Sequence, residues 1–118
     1  MSVTVYHNPR CSKSRATLEL LERRGIDPEV VRYLEAPPGV PELRELARKL
    51  DLRPKDFLRT GESAWKALAL DPERLDDAEL MQLMSEHPIL IERPIVVCGE
   101  RARIGRPPEA VLDILSES

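Results

Sequence analysis

Cys11 stands where a β-branched run gives way to a helical pattern, in the segment His7-Asn8-Pro9-Arg10-Cys11-Ser12-Lys13-Ser14-Arg15. A helix N-terminus offers unsatisfied N–H groups and the positive end of the macrodipole, and both favour a thiolate over a thiol. Cysteines in that position form a low-pKa class. Lys13 and Arg15 add positive charge, and a helix N-terminus is itself an anion site. Nucleophile and anionic substrate would therefore meet at one place. The competing reading of a lone cysteine is a small buried apolar residue. Arg10 and Ser12 on either side make burial awkward and favour the reactive thiol.

Two details narrow the chemistry. The position that would complete a C-x-x-C redox pair is Ser14, so no short internal disulfide can form and another thiol must resolve Cys11. The residue six after Cys11 is Thr17, which excludes a phosphatase loop of the C-x5-R kind. The second cysteine, Cys98, ends an apolar run, and its burial-prone type argues against a resolving role. No metal site is expected.

The elements that must position Cys11 follow from periodicity. Ser2–Tyr6 alternates polar and apolar residues and predicts a first strand. From Ser12 the period becomes helical, with Ala16, Leu18, Leu20 and Leu21 as its apolar residues and Gly25 as the C-cap. Val30–Leu34 reads as a second strand, so the unit is β-α-β with a right-handed parallel crossover. Beyond the turn at Ala36-Pro37-Pro38-Gly39, Leu43, Leu46, Ala47 and Leu50 recur at helical spacing. Short helical pieces are expected over Pro54–Leu70, broken at Thr60-Gly61. Another helix is expected from about Asp76 to Glu86, with Leu80, Leu83 and Met84 on one face. Pro94–Cys98 is a third strand, Gly99-Glu100 a hairpin turn, and Ala102–Ile104 a short fourth strand. A last helix from Pro108 to about Leu115 would bury Val111, Leu112 and Leu115. The order predicts an α/β fold: a thioredoxin-like mixed four-stranded sheet with a helical insertion before the C-terminal β-hairpin.

The 118 residues suit a single domain over residues 1–118, and 42% hydrophobic residues suffice for a core. The aromatic set is only Tyr6, Tyr33, Phe57 and Trp65, so aliphatic side chains must fill that core. A net charge of -3 with interspersed signs, and so few aromatic platforms, excludes a typical nucleic-acid binder. Neither a signal peptide nor a membrane-spanning run is visible, so a soluble cytoplasmic protein with reduced cysteines is expected. A monomer is expected, since no long amphipathic stretch is left over once the core is assigned. Of the 18 basic residues 14 are arginine, so composition alone selects none of them as functional.

The segment Tyr6–Arg15 resembles the active-site segment of the glutaredoxin-dependent arsenate reductase family, in the shorter, arsenate-reductase-like branch. The resemblance continues through Tyr33-Leu34-Glu35, Phe57-Leu58-Arg59, His87–Val97 and Arg103–Glu109, and so runs along nearly the whole chain in order. It implies reduction of arsenate to arsenite through a covalent Cys11 adduct, with glutathione as co-substrate, glutaredoxin as partner and no bound cofactor. It further implies that Arg59, Arg93 and Arg106 hold the oxyanion, a task suited to the fixed forks of guanidinium groups. His7 would help as a cation that keeps the thiolate charged, although a partly exposed polar residue with no such role is equally expected there. Asn8 and Ser14 would hydrogen-bond the sulfur or the anion, although for Ser14 a plain first-turn helical role is equally expected. Pro94 would follow a cis peptide bond beside Cys11, while His87, ahead of a proline, reads as structural.

Two other functions fit the same fold. One is a thiol reductase or glutathione-binding protein acting on another small substrate. The other is a redox-related transcription regulator that binds RNA polymerase. Such regulators resemble this chain in fold but switch through a C-x-x-C pair, which Ser14 removes here.

Overall fold

In a computed structural model, which describes residues 2–115, the N-terminal alternation forms strand β1 (Val3–His7). It runs one residue further than the sequence pattern predicts, so Tyr6 and His7 are buried along with Val3 and Val5. Helix α1 (Ser12–Arg23) follows and ends at Arg24, with Gly25 taking the positive φ of 75° that a residue past a helix end requires. Strand β2 (Glu29–Arg32) lies parallel to β1, with Val5 opposite Val30. Strand β3 (Ile95–Cys98) pairs antiparallel with β1, and β4 (Arg101–Ile104) pairs antiparallel with β3. The sheet order is β2-β1-β3-β4. The thioredoxin-like mixed sheet expected from the order of elements is present, with its helical insertion ahead of the hairpin.

The chain forms two compact units. One contains residues up to Ala36 and those from Arg93 onward; the other is Pro37–Glu92. The core of the first is Val3, Val5, Leu21, Val96, Val111, Ile114 and Leu115, with Leu18, Leu20, Ile26, Cys98 and Leu112 packed partly buried against it. The closing segment is a 3-10 helix (Pro108–Ile114) rather than an α-helix. Three residues per turn bring Val111 and Ile114 onto one line, so Ile114 takes the buried place expected of Leu112.

Helix α1 departs from the expected face in a way that matters for the site. Its buried residues are Ser14, Thr17 and Leu21, and Ala16 is exposed. The half of the stripe nearest Cys11 is thus built from hydroxyls, and each has a hydrogen-bond partner: Ser14 bonds His7, and Thr17 donates to the Lys13 carbonyl at 2.8 Å.

The second unit is helical. Helix α2 (Val40–Leu50) packs on helix α4 (Asp77–Glu86), with a short helix α3 (Ser63–Leu68) between them in sequence. Four 3-10 turns complete the described helices, three of them here: Pro54–Phe57, Pro72–Arg74 and Pro88–Leu90. Asp76 opens α4 with a reciprocal capping box: its carboxylate accepts the Glu79 N–H and the Glu79 carboxylate accepts the Asp76 N–H. The buried face of α4 takes Met81 beside Leu80 and Met84, where the pattern had suggested Leu83. Leu58 and Ile91 form a one-residue antiparallel bridge. Among the described residues, no helix is long and apolar enough to cross a membrane.

Leu21 anchors the helix that presents Cys11, and it is fully buried. Leu21→Ala should lower the free energy of unfolding by about 2–5 kcal/mol, the usual range for such a truncation. Urea denaturation followed by circular dichroism measures it. A loss below about 1 kcal/mol would show that α1 is held by other contacts.

Candidate active site

The path from β1 into α1 is set by Asn8. Its carbonyl accepts the Cys11 N–H and its side-chain Oδ1 accepts the Arg10 N–H, both at 3.0 Å. An Asx-type bond inside a tight turn of this kind explains why asparagine follows the strand. Asn8 therefore shapes the loop backbone through its two carbonyl oxygens. Cys11 sits at the N-cap in extended conformation, φ −94° and ψ 124°, partly exposed, and its carbonyl accepts the Arg15 N–H. The Arg15 guanidinium turns back to the Pro9 carbonyl at 2.9 Å and closes the loop from outside.

Ser14 is completely buried one turn into the helix. Its hydroxyl accepts the Asn8 N–H at 3.0 Å and lies 2.6 Å from His7 Nδ1. It is more than a helix-start residue, since it joins the strand end, the turn and the helix through one oxygen. His7 itself is buried, and burial first, then the positive charges of Arg32 and Arg15, push its pKa below the ordinary histidine value. This environment disfavours the charged ring. The helper role that the resemblance implies for His7 therefore has to work against burial and two nearby guanidiniums, with Nδ1 held by Ser14.

Arginines supply the positive charge instead. The Arg106 guanidinium donates to Cys11 Sγ at 3.5 Å through Nη2 and to the Arg93 carbonyl at 2.9 Å through Nε. Burial pushes the Cys11 thiol up. The Ser14 N–H, a hydrogen bond from the Arg93 side chain, the Lys13 N–H and the Arg106 charge together outweigh it, and the pKa falls below the ordinary thiol value. The Arg93–Pro94 peptide is cis, as expected, and so is Arg106–Pro107, which the sequence reading missed.

Gly105 is a further residue that the motif quoted but did not explain. Its N–H donates to the Pro94 carbonyl at 2.9 Å. A Cβ there would come within 2.5 Å of Thr17 Oγ1 and 2.8 Å of Pro94 Cγ. Helix α1, the proline loop and the end of β4 thus meet where no methyl group fits, directly beside Arg106. Composition gives no sign of this, because the close approach exists only after the sheet has formed.

Arg59 belongs to the helical unit. Its Nε donates to Glu62 at 2.9 Å and its Nη1 to Glu92, and all three side chains are only about a quarter exposed. Burial lowers its pKa and the two carboxylates raise it by more, so its charge is secure. Cys11, His7, Asn8, Ser14, Arg93, Pro94 and Arg106 are gathered in the sheet unit, and the glutamates around Arg59 had no signal in the sequence. Cys98 pairs with Val3 at the far end of β1 from Cys11. Four residue steps of about 3.3 Å each separate Val3 from His7, far beyond the roughly 4.4–6.8 Å between Cα atoms that a disulfide needs.

The model of the ArsC family matches residues 6–114. Arsenate reductase from Haemophilus influenzae is 52% identical over 116 residues, which is 98% of this chain and 100% of that protein. A protein of Escherichia coli K12 with the name "Uncharacterized protein YfgD" is 49% identical over 114 residues, 96% of each chain. The solved structure of arsenate reductase from Vibrio cholerae is 54% identical with a TM-score of 0.93, covering 97% of this chain and 98% of that one.

The pH dependence of Cys11 alkylation by iodoacetamide reads its thiolate fraction, which falls as pH drops through the folded-state pKa. Its midpoint should lie below that of a free thiol. Arg106→Ala should move it to higher pH, and an unchanged midpoint would show that Arg106 does not act on the sulfur. Gly105→Ala should shift it in the same direction by displacing the Arg106 segment. In that variant, a folded protein with a wild-type midpoint would show that the loop absorbs the methyl elsewhere.

Proposed function

The chain belongs to the ArsC family, and on that premise we propose that it reduces arsenate to arsenite with Cys11 as the nucleophile. The observation that carries the proposal is the sulfur itself: a cysteine at a helix N-terminus, its pKa depressed, with the Arg106 guanidinium 3.5 Å from Sγ. A thiolate held by an arginine lies where a tetrahedral oxyanion would be drawn in, and the same fork that stabilises the sulfur can receive an anion oxygen. That the relatives named arsenate reductase match along almost their whole length supports the choice of arsenate among oxyanions.

The chemistry follows in balanced steps. The Cys11 thiolate forms an S–As bond, and one arsenate oxygen leaves as water after taking up protons; arsenic stays pentavalent. The thiol of glutathione, the proposed co-substrate, replaces a second oxygen in the same way. A glutaredoxin thiolate then attacks the glutathione sulfur. That As–S bond breaks with its electron pair left on arsenic, which becomes trivalent, and the glutathione sulfur is oxidised in a mixed disulfide. Water releases arsenite and returns Cys11 as a thiolate. Arg93, Arg106 and Arg59 are the proposed oxyanion ligands. Their charge would stabilise the oxygens that carry negative charge in the transition state. An external donor suits this chain because Ser14 replaces the near thiol and Cys98 lies at the wrong end of the sheet.

Purified protein with glutathione, glutaredoxin and glutathione reductase should oxidise NADPH in an arsenate-dependent manner. Cys11→Ser should abolish this, whereas Cys98→Ser should retain it. Equal rates in wild type and Cys11→Ser would refute the proposal. Loss of activity in Cys98→Ser, with the fold intact, would refute the external resolving thiol.

A further inference from the structure

The two carboxylates on Arg59 bear on how that arginine can act. A guanidinium offers an anion two bidentate edges, one formed by Nε with an Nη and one by the two Nη groups, and these edges share a nitrogen. Here Glu62 takes Nε and Glu92 takes Nη1. Each edge is already half occupied, so neither is open to a second bidentate partner. The charges make the same point, since one guanidinium with two carboxylates carries a net charge of −1.

The pair is also built to stay in place. The Arg59 N–H donates to the Leu90 carbonyl at 2.7 Å and the Glu92 N–H to the Phe57 carbonyl at 2.9 Å, flanking the bridge between Leu58 and Ile91. The backbones that bear Arg59 and Glu92 are therefore fixed side by side. Glu62 comes from three residues further along, and its own N–H donates to the Arg59 carbonyl.

We infer that Glu62 and Glu92 are positioning residues that restrain Arg59 as an oxyanion ligand: they hold its guanidinium in one orientation, and an anion can engage a full edge only by displacing one carboxylate. The inference rests on the proposed role of Arg59. In the resting protein the arginine is an attenuated cation, which keeps abundant oxyanions such as phosphate from occupying it tightly. Affinity is reduced in return for a fixed geometry.

The test uses inorganic phosphate and arsenate as probes and reads the protection of Cys11 against iodoacetamide, which requires binding but no turnover. Glu92→Gln keeps the shape of the side chain and removes its charge. It should lower the half-protecting concentration of both anions by about 3- to 10-fold, the range for removing one unit charge a few ångströms away in a water-accessible site. Glu62→Gln should act in the same direction and serves if Glu92→Gln does not fold. In an Arg59→Ala background neither substitution should change protection. In the coupled assay the gain should appear in KM with kcat equal or lower, a split that a merely structural role would not produce. If Arg59→Ala weakens protection while both glutamine variants protect like wild type, the inference is overturned and the role of Arg59 stands. If Arg59→Ala protects as well as wild type, the oxyanion role of Arg59 fails and the inference with it.

Discussion

Everything around Cys11 answers to one conflict, that a partly buried sulfur at a helix start resists charge while its chemistry demands it. Burial alone would give an inert thiol. The fold offsets this with short-range groups that cost little to supply, the N–H groups of Lys13 and Ser14, and with two guanidinium groups brought in from the other end of the chain. Removing the N-terminal strand from water requires the rest of the sheet, and the sheet in turn delivers Arg93 and Arg106. The same packing that makes the thiolate unfavourable thus brings in the groups that restore it.

The histidine illustrates how far this arrangement relies on arginine. A cationic imidazole beside the sulfur would do the same electrostatic work, but His7 is enclosed and faces Arg32 and Arg15. It contributes a ring nitrogen to Ser14, and Ser14 ties strand, turn and helix together. The dividing line between charge and framework runs through this pair. Guanidiniums, which stay protonated under any physiological condition, carry the charge. Hydroxyl, amide and imidazole carry the geometry.

Much of this was legible in the chain because it is local. The change of period at Ser12, the C-cap at Gly25 and the helix start near Asp76 are short-range effects, and the corresponding elements lie where those residues place them. The buried face of α1 was not legible. Hydrophobicity favoured Ala16, whereas the helix turns Ser14 and Thr17 inward, Ser14 onto His7 and the Asn8 N–H, and Thr17 with its hydroxyl satisfied by the Lys13 carbonyl of its own helix. Nor was the closing helix, since 3-10 and α patterns differ only in which of Leu112 and Ile114 is covered. The cluster around Arg59 joins residues 33 positions apart, and the crowding at Gly105 involves three separate segments. Such contacts leave no periodic trace. The resemblance to a family singled out three arginines but was silent about what surrounds them.

The contact between Arg106 and Cys11 spans 95 positions of sequence, and it gives the thiol a history as well as a location. During synthesis the cysteine is made 95 residues before the arginine that bears on it. Until then the nascent chain lacks that part of the field around its sulfur, and the cysteine is closer to an ordinary one, less prone to capture by electrophiles or stray disulfides. Full nucleophilicity arrives only when the sheet closes. The reactive group is in this sense armed by folding, at the moment when the surroundings that direct it are also complete.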